Sequence, residues 1–283
     1  MRTSLLALVA AVLLLCLSPV RARAWDPEAD RVVAQLALER LTPSTRAQVS
    51  ALLGSGVGVA GCPVMGLDDS ARLVSCLHDQ RADFMRDLPY PAVPLCGAVP
   101  PARWCPNGRC ASQTLKRFIG ELKDPATPQP EKVLALEAVA YLIAELHQPL
   151  HAADNADRSG ERVRVTLPGA LKVKANLYTV WNDDLVASAI GTAETGLPYV
   201  RALADAHGAD WSRGDVDDWV AETHDVALHT AYGRLPDPPA CNKTPGHPER
   251  LTADYFAVAV PAVRIQLAKA GVRLASVLNA TLP

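Results

Sequence analysis

Between Pro130 and Leu146 the chain is apolar on nearly every side, with Val133, Leu134, Leu136, Val139, Leu142 and Ile143 spread around a helical circumference. Such a helix is stable only when neighbours cover it all round, so it belongs at the centre of a helical protein. Glu137, Tyr141 and Glu145 interrupt it at four-residue spacing and therefore share one face. A carboxylate in those surroundings is costly unless it is paired, bound to a cation or protonated. Directly after Glu145 comes His147-Gln148-Pro149-Leu150-His151, in which Pro149 ends the helix and turns His151 back toward it. A carboxylate and an imidazole at a helix end suit a metal ion. A structural, hydrogen-bonded Glu–His–Tyr cluster suits the same residues.

Helix signals dominate the rest of the chain. Asp26-Pro27 and Thr42-Pro43 are N-cap and first-turn pairs. Further helices are expected at about 68–85, 110–122, 177–190, 197–206, 216–232 and 251–278. A proline-rich loop fills 88–106, and Pro168-Gly169-Ala170 marks a small hairpin between 162–167 and 171–173. Strands and helices do not alternate, which excludes a parallel α/β sheet. The expected fold class is all-α: a single-domain helical bundle with a small β-hairpin and disulfides.

The N-terminus reads as a signal peptide. Arg2 is followed by an apolar run from Leu5 to Leu17, too short to span a bilayer, and by Ala22-Arg23-Ala24 before Trp25. The expected division is 1–24 as leader and 25–283 as one domain. No later segment is read as long and apolar enough to cross a membrane. Three arginines leave with the leader, so 25 basic face 30 acidic side chains in the remainder. That balance disfavours general capture of duplex DNA by counterion release. Cys16 also leaves, and the remaining six cysteines, an even number in an exported chain, point to disulfides. The short Cys105–Cys110 loop is the first expected bridge. Pairing Cys96 with Cys241 and Cys62 with Cys76 is one of the connectivities open to the other four.

Several motifs together carry a resemblance. Leu146-His147-Gln148-Pro149-Leu150-His151-Ala152, Asp157-Arg158-Ser159-Gly160, Asn176-Leu177-Tyr178-Thr179-Val180-Trp181-Asn182 and the C-terminal run Gln266–Ala275 resemble the S1/P1 nuclease family, in order, over nearly all of 25–283. The resemblance implies the phospholipase C/P1 nuclease type of helical bundle, secretion, disulfides, and zinc-dependent hydrolysis of single-stranded RNA, DNA and 3′-nucleotides. Clustered Zn²⁺ ions lower the pKa of a bound water and hold phosphate, and each needs imidazole and carboxylate ligands.

Carried over position by position, the resemblance implies metal ligands at Trp25 (its amine and carbonyl), Asp30, Asp69, Glu145 and His151, with Asp69 and Arg72 also in the catalytic roles. Four further ligand positions hold Phe84, Tyr141, Tyr178 and Asn182. A phenol titrating near pH 10 is a poor zinc ligand, and an amide lacks the charge. The expected cofactor is therefore no ion, or at most one or two divalent ions, in place of the family's zinc. Tyr141 and Tyr178 are expected to fill the space of lost imidazoles and to hydrogen-bond Glu145 and Asn182.

The expected function is that of an S1/P1-like protein with a degenerate catalytic site that binds a ligand or partner. The alternative is an active endonuclease or 3′-nucleotidase using one or two ions at the remaining ligands. Expected partners are single-stranded nucleic acid or a nucleotide, with no membrane and no protein-partner motif; expected localisation is secreted or periplasmic. His78, His207 and His247 read as surface residues, and His224 and His229 as too isolated to be ligands.

Overall fold

The computed structural model describes residues 25–282 except 57, 65, 80–87, 92, 98–99, 101–102, 106–107 and 170–174. Phe84 and Met85, the far end of the helix expected at 68–85, and the leader lie outside the described residues. The chain forms α1 (Pro27–Glu39), α2 (Pro43–Leu53), a 3-10 turn (Leu67–Asp69) running into α3 (Ser70–Asp79), α4 (Ala111–Lys123), α5 (Gln129–Glu145), β1 (Arg164–Thr166) and β2 (Ala175–Asn176). It continues through α6 (Leu177–Thr179), α7 (Leu185–Ile190), α8 (Ala193–Trp211), α9 (Val216–Val226), β3 (Glu249–Arg250) and α10 (Ala253–Thr281).

The helix starts follow from local chemistry. Asp26 accepts from the Glu28 amide ahead of Pro27, and Thr42 accepts from the Thr45 amide ahead of Pro43. Asn176, Thr192 and Asp215 each make a reciprocal capping box. As its sequence requires, α5 is buried from Ala135 to Glu145. It packs against α1, α3, α4 and α10.

The longest helix, α10, corrects one expectation. By length and composition it is apolar enough to cross a membrane. Its buried residues, among them Val263, Leu267, Ala270, Leu274 and Leu278, instead belong to the protein core, against α1, α7 and α8. A Cβ on Gly271 would stand 2.6 Å from Leu36 Cδ2, so glycine is what lets α1 and α10 approach.

Two further expectations change in detail. The strand expected at 171–173 lies outside the described residues; β1 pairs antiparallel with β2, just beyond it, and in parallel with β3, giving a three-stranded sheet in the order β2-β1-β3. α8 starts at Thr192's cap and ends at Trp211, longer than expected, because the cap outweighs the interruption at Pro198. Disulfides join Cys62–Cys76, Cys96–Cys241 and Cys105–Cys110, as the pairing offered above.

Candidate functional site

Glu145 is the last residue of α5, and the chain beyond it doubles back through a 3-10 turn at Pro149–His151. His151 Nδ1 lies 2.9 Å from the Glu145 carbonyl oxygen and 3.3 Å from Glu145 Oε2, so it carries the ring proton. Nε2 is then the acceptor, and the Tyr178 hydroxyl donates to it at 2.9 Å. Burial pushes the His151 imidazole down to about 3, so it is neutral.

The Glu145 carboxylate is wholly buried. Oε1 accepts from the Trp25 main-chain nitrogen at 2.9 Å, and Oε2 accepts from the Tyr90 hydroxyl. Tyr141, one turn earlier on α5, also hydrogen-bonds this carboxylate. Desolvation still outweighs these donors and raises Glu145 to about 7. Burial holds the phenols of Tyr90, Tyr141 and Tyr178 above the usual tyrosine range, with the Glu145 charge adding to it.

Asp30 comes from the first turn of α1 and is buried, and neither carboxylate oxygen has a hydrogen-bond partner. Burial, then the charges of Glu145 and Asp26, hold its pKa well above the carboxylate range. Glu145 has donors and Asp30 has none, so of this pair Asp30 keeps its proton more readily.

Trp25 is anchored beside the cluster: its indole N–H donates to the Trp181 carbonyl at 3.3 Å, and the Asp26 amide donates to the Asn182 carbonyl at 3.2 Å. Asn182 lies in a π turn, Val180–Asp184, between α6 and α7. π turns recur at functional sites. The Asn182 side chain is taken up by its neighbours, accepting from Gln148 Nε2 at 2.6 Å and bonding Tyr178.

Trp25, Asp30, Glu145 and His151 thus gather in one buried cluster with Tyr141, Tyr178 and Asn182. Asp69 and Arg72 form a separate ion group nearer the surface, where Asp69 lies 3.5 Å from Arg31 and 3.4 Å from Arg72. Arg72 is 67% exposed, and the ion pairs that Asp69 makes are with Arg72 and Arg31. The first turn of α1 points Asp30 inward and its neighbour Arg31 outward, and Asp69 follows Arg31.

Tyr90 is the residue that sequence reasoning missed. Its ring stacks on His151 with centroids 3.8 Å apart and planes at 6°. The one signal was an aromatic clasped between prolines, Pro89-Tyr90-Pro91, in an otherwise irregular loop.

Beneath the cluster, His147 is held as a neutral ring, bonded through Nδ1 to the Ile143 carbonyl and through Nε2 to Arg273. Arg273 in turn bonds Glu222 and the Trp211 carbonyl. This second network joins the end of α5 to α8, α9 and α10.

A family model described as S1/P1 Nuclease matches residues 25–283. Among curated proteins the chain is 33% identical to Endonuclease 4 of Arabidopsis thaliana over 51% of its own length and 49% of that protein's. It is 26% identical to Endonuclease 2 of the same plant over 90% of the chain and 89% of that protein. Nuclease S1 of Aspergillus oryzae is 26% identical over 62% of the chain and 64% of its own length. The match to Endonuclease 4 therefore spans about half of that relative, whereas the match to Endonuclease 2 spans nearly all of it.

Proposed function

The chain belongs to the S1/P1 nuclease family, and from that premise we propose that it is an exported relative whose catalytic zinc cluster does not assemble and whose site binds single-stranded nucleic acid or a nucleotide without cleaving it. The carrying observation is the use already made of the ligand atoms. Both oxygens of Glu145 and the free nitrogen of His151 are engaged by Trp25, Tyr90 and Tyr178. A zinc ion would have to displace phenols whose pKa values burial has raised, and these do not become phenolate ligands at neutral pH.

Three disulfides support export, because such bridges persist in oxidising compartments. Cleavage after Ala24 leaves Trp25 as the new N-terminus, with its amine against Glu145. The acidic balance of the remaining chain favours a short single strand or nucleotide over duplex DNA.

A second reading rests on Asp30, whose two buried oxygens lack hydrogen bonds. A single divalent ion held by Trp25, Asp30 and Glu145 would satisfy them, and would supply a Lewis acid for phosphate. Asp30 and Glu145 would then hold the ion and the Trp25 main chain would orient it.

The test uses secreted protein with a native N-terminus, incubated with single-stranded DNA, RNA and 3′-nucleotides in Zn²⁺, Mn²⁺ or Mg²⁺. Intact substrates together with retained binding of a labelled oligonucleotide are expected. Cleavage that disappears in Glu145→Gln favours the second reading and overturns the first.

A further inference from the structure

We propose that Asp237, His247 and Glu249 form a second, separate site for a divalent cation of the zinc class, which pins the segment between α9 and β3 to the body of the protein. One ligand atom from each of the three lies within 4.8 Å of the others. His247 Nε2 is 3.6 Å from Glu249 Oε1 and 3.9 Å from Asp237 Oδ2. Ligands about 2.0–2.2 Å from a tetrahedral zinc lie roughly 3.3 Å apart, so these two edges need to shorten by about half an ångström. The exposed side chains of Asp237 and His247, 70% and 64% accessible, have the freedom to do so.

The observation pointing to a ligand is Glu249. Its side chain is 2% exposed, and Oε1, which faces His247, has no hydrogen-bond donor. A buried carboxylate oxygen left this way is costly. Its other oxygen accepts from the Asp237 amide at 3.1 Å, which fixes the carboxylate's orientation and brings Asp237 alongside. Among the described residues, the ion-pair partner of both Asp237 and Glu249 is His247. Two carboxylates and an imidazole are a ligand set that one divalent cation fits. A nitrogen with two oxygens suits zinc better than calcium, which takes oxygen alone.

Sequence and tethers support the arrangement. His247-Pro248-Glu249 leads into β3, and the proline biases His247 to an extended conformation in which residues two apart face the same side. The segment closed by the triad carries Cys241, bonded to Cys96. Asn155 donates to the carbonyls of Ala240 and Lys243 and accepts from the Asn242 amide. A cation at the triad would close the open end of this tethered segment.

Calorimetric titration of ZnCl₂ into the chelator-stripped, full secreted chain at pH 7.5 tests the site. One binding event is expected in the wild type and in Glu145→Gln, with affinity about tenfold or more weaker in His247→Ala and in Asp237→Asn. Both of the latter changes fall on exposed side chains, and circular dichroism checks that each variant is folded. A zinc-dependent rise in melting temperature is expected in the wild type and absent in His247→Ala. Absence of zinc binding, as a simple histidine–carboxylate ion pair would give, overturns the proposal. Binding unchanged in His247→Ala and Asp237→Asn, or lost only in Glu145→Gln, also overturns it.

Discussion

Tyr90 lies flat against His151, with ring centroids 3.8 Å apart, while its hydroxyl donates to Glu145. One side chain from an irregular loop thus covers the imidazole face and supplies a hydrogen bond to the buried carboxylate. The cluster is closed by phenols, and several consequences can be measured.

Tyr90→Phe keeps the stack and removes the donor. Glu145 then has one fewer group favouring its charged form, and a buried hydrogen bond to a charged group is lost. Denaturant unfolding at about pH 8.5, above the raised Glu145 pKa of about 7, should show a loss of about 1.5–3 kcal/mol. A loss below about 0.5 kcal/mol would mean that the contact carries no weight.

Adding ligand chemistry should add metal. Tyr178→His with Asn182→Asp places an imidazole and a carboxylate beside His151, where a phenol and an amide now bond it and Gln148. Elemental analysis should find one zinc more per chain than in the wild type. An unchanged content would show that the geometry there is wrong for zinc whatever the ligands.

The crossing of α1 and α10 depends on Gly271. Gly271→Ala puts a methyl 2.6 Å from Leu36 Cδ2 and should cost about 1–3 kcal/mol. Leu36→Ala in the same chain relieves that clash, so a double-mutant cycle should show less than additive destabilisation. Strict additivity would contradict the contact.

Burial, and then the charge of Arg273 against Nε2, holds the His147 pKa well below the ordinary 6.5. The unfolded chain binds a proton there below about pH 6.5 and the folded chain does not. The unfolded state therefore gains as pH falls. Relative to His147→Gln, the wild type should lose stability from pH 7.5 to 5, approaching about 1.4 kcal/mol per unit. Urea titrations of both proteins at each pH give this difference, and a flat line would contradict the neutral ring.

Much of the bundle was legible because its signals are local. Asp26-Pro27, Thr42-Pro43 and the all-round apolar face of α5 each act within a few residues, and the structure follows them. β3 was not legible: two residues pair with a strand more than eighty positions earlier, and no local pattern announces it. The π turn at Val180–Asp184 was read as ordinary helix, since one widened turn leaves the apolar spacing nearly unchanged.

The candidate site was legible in its residues and not in its contacts. Glu145, Tyr141 and His151 stand out through spacing and a proline. The hydrogen bonds of Tyr141 to Glu145 and of Tyr178 to Asn182 match the expectation drawn from the sequence. Tyr90 reaches Glu145 across 55 positions from a loop without periodicity. Asp69, aligned by spacing alone, pairs with both Arg31 and Arg72, because α1 turns Arg31 away from the buried Asp30. His247, read as an ordinary surface residue, is exposed but aims its ring at a buried glutamate.

The most direct test is the zinc content and single-strand cleavage of secreted His247→Ala, the variant that removes the site near β3. With Trp25 as its N-terminus and zinc supplied, it should carry at most one zinc per chain and leave single-stranded DNA intact. Two or more zinc ions per chain together with cleavage would contradict a phenol-closed cluster.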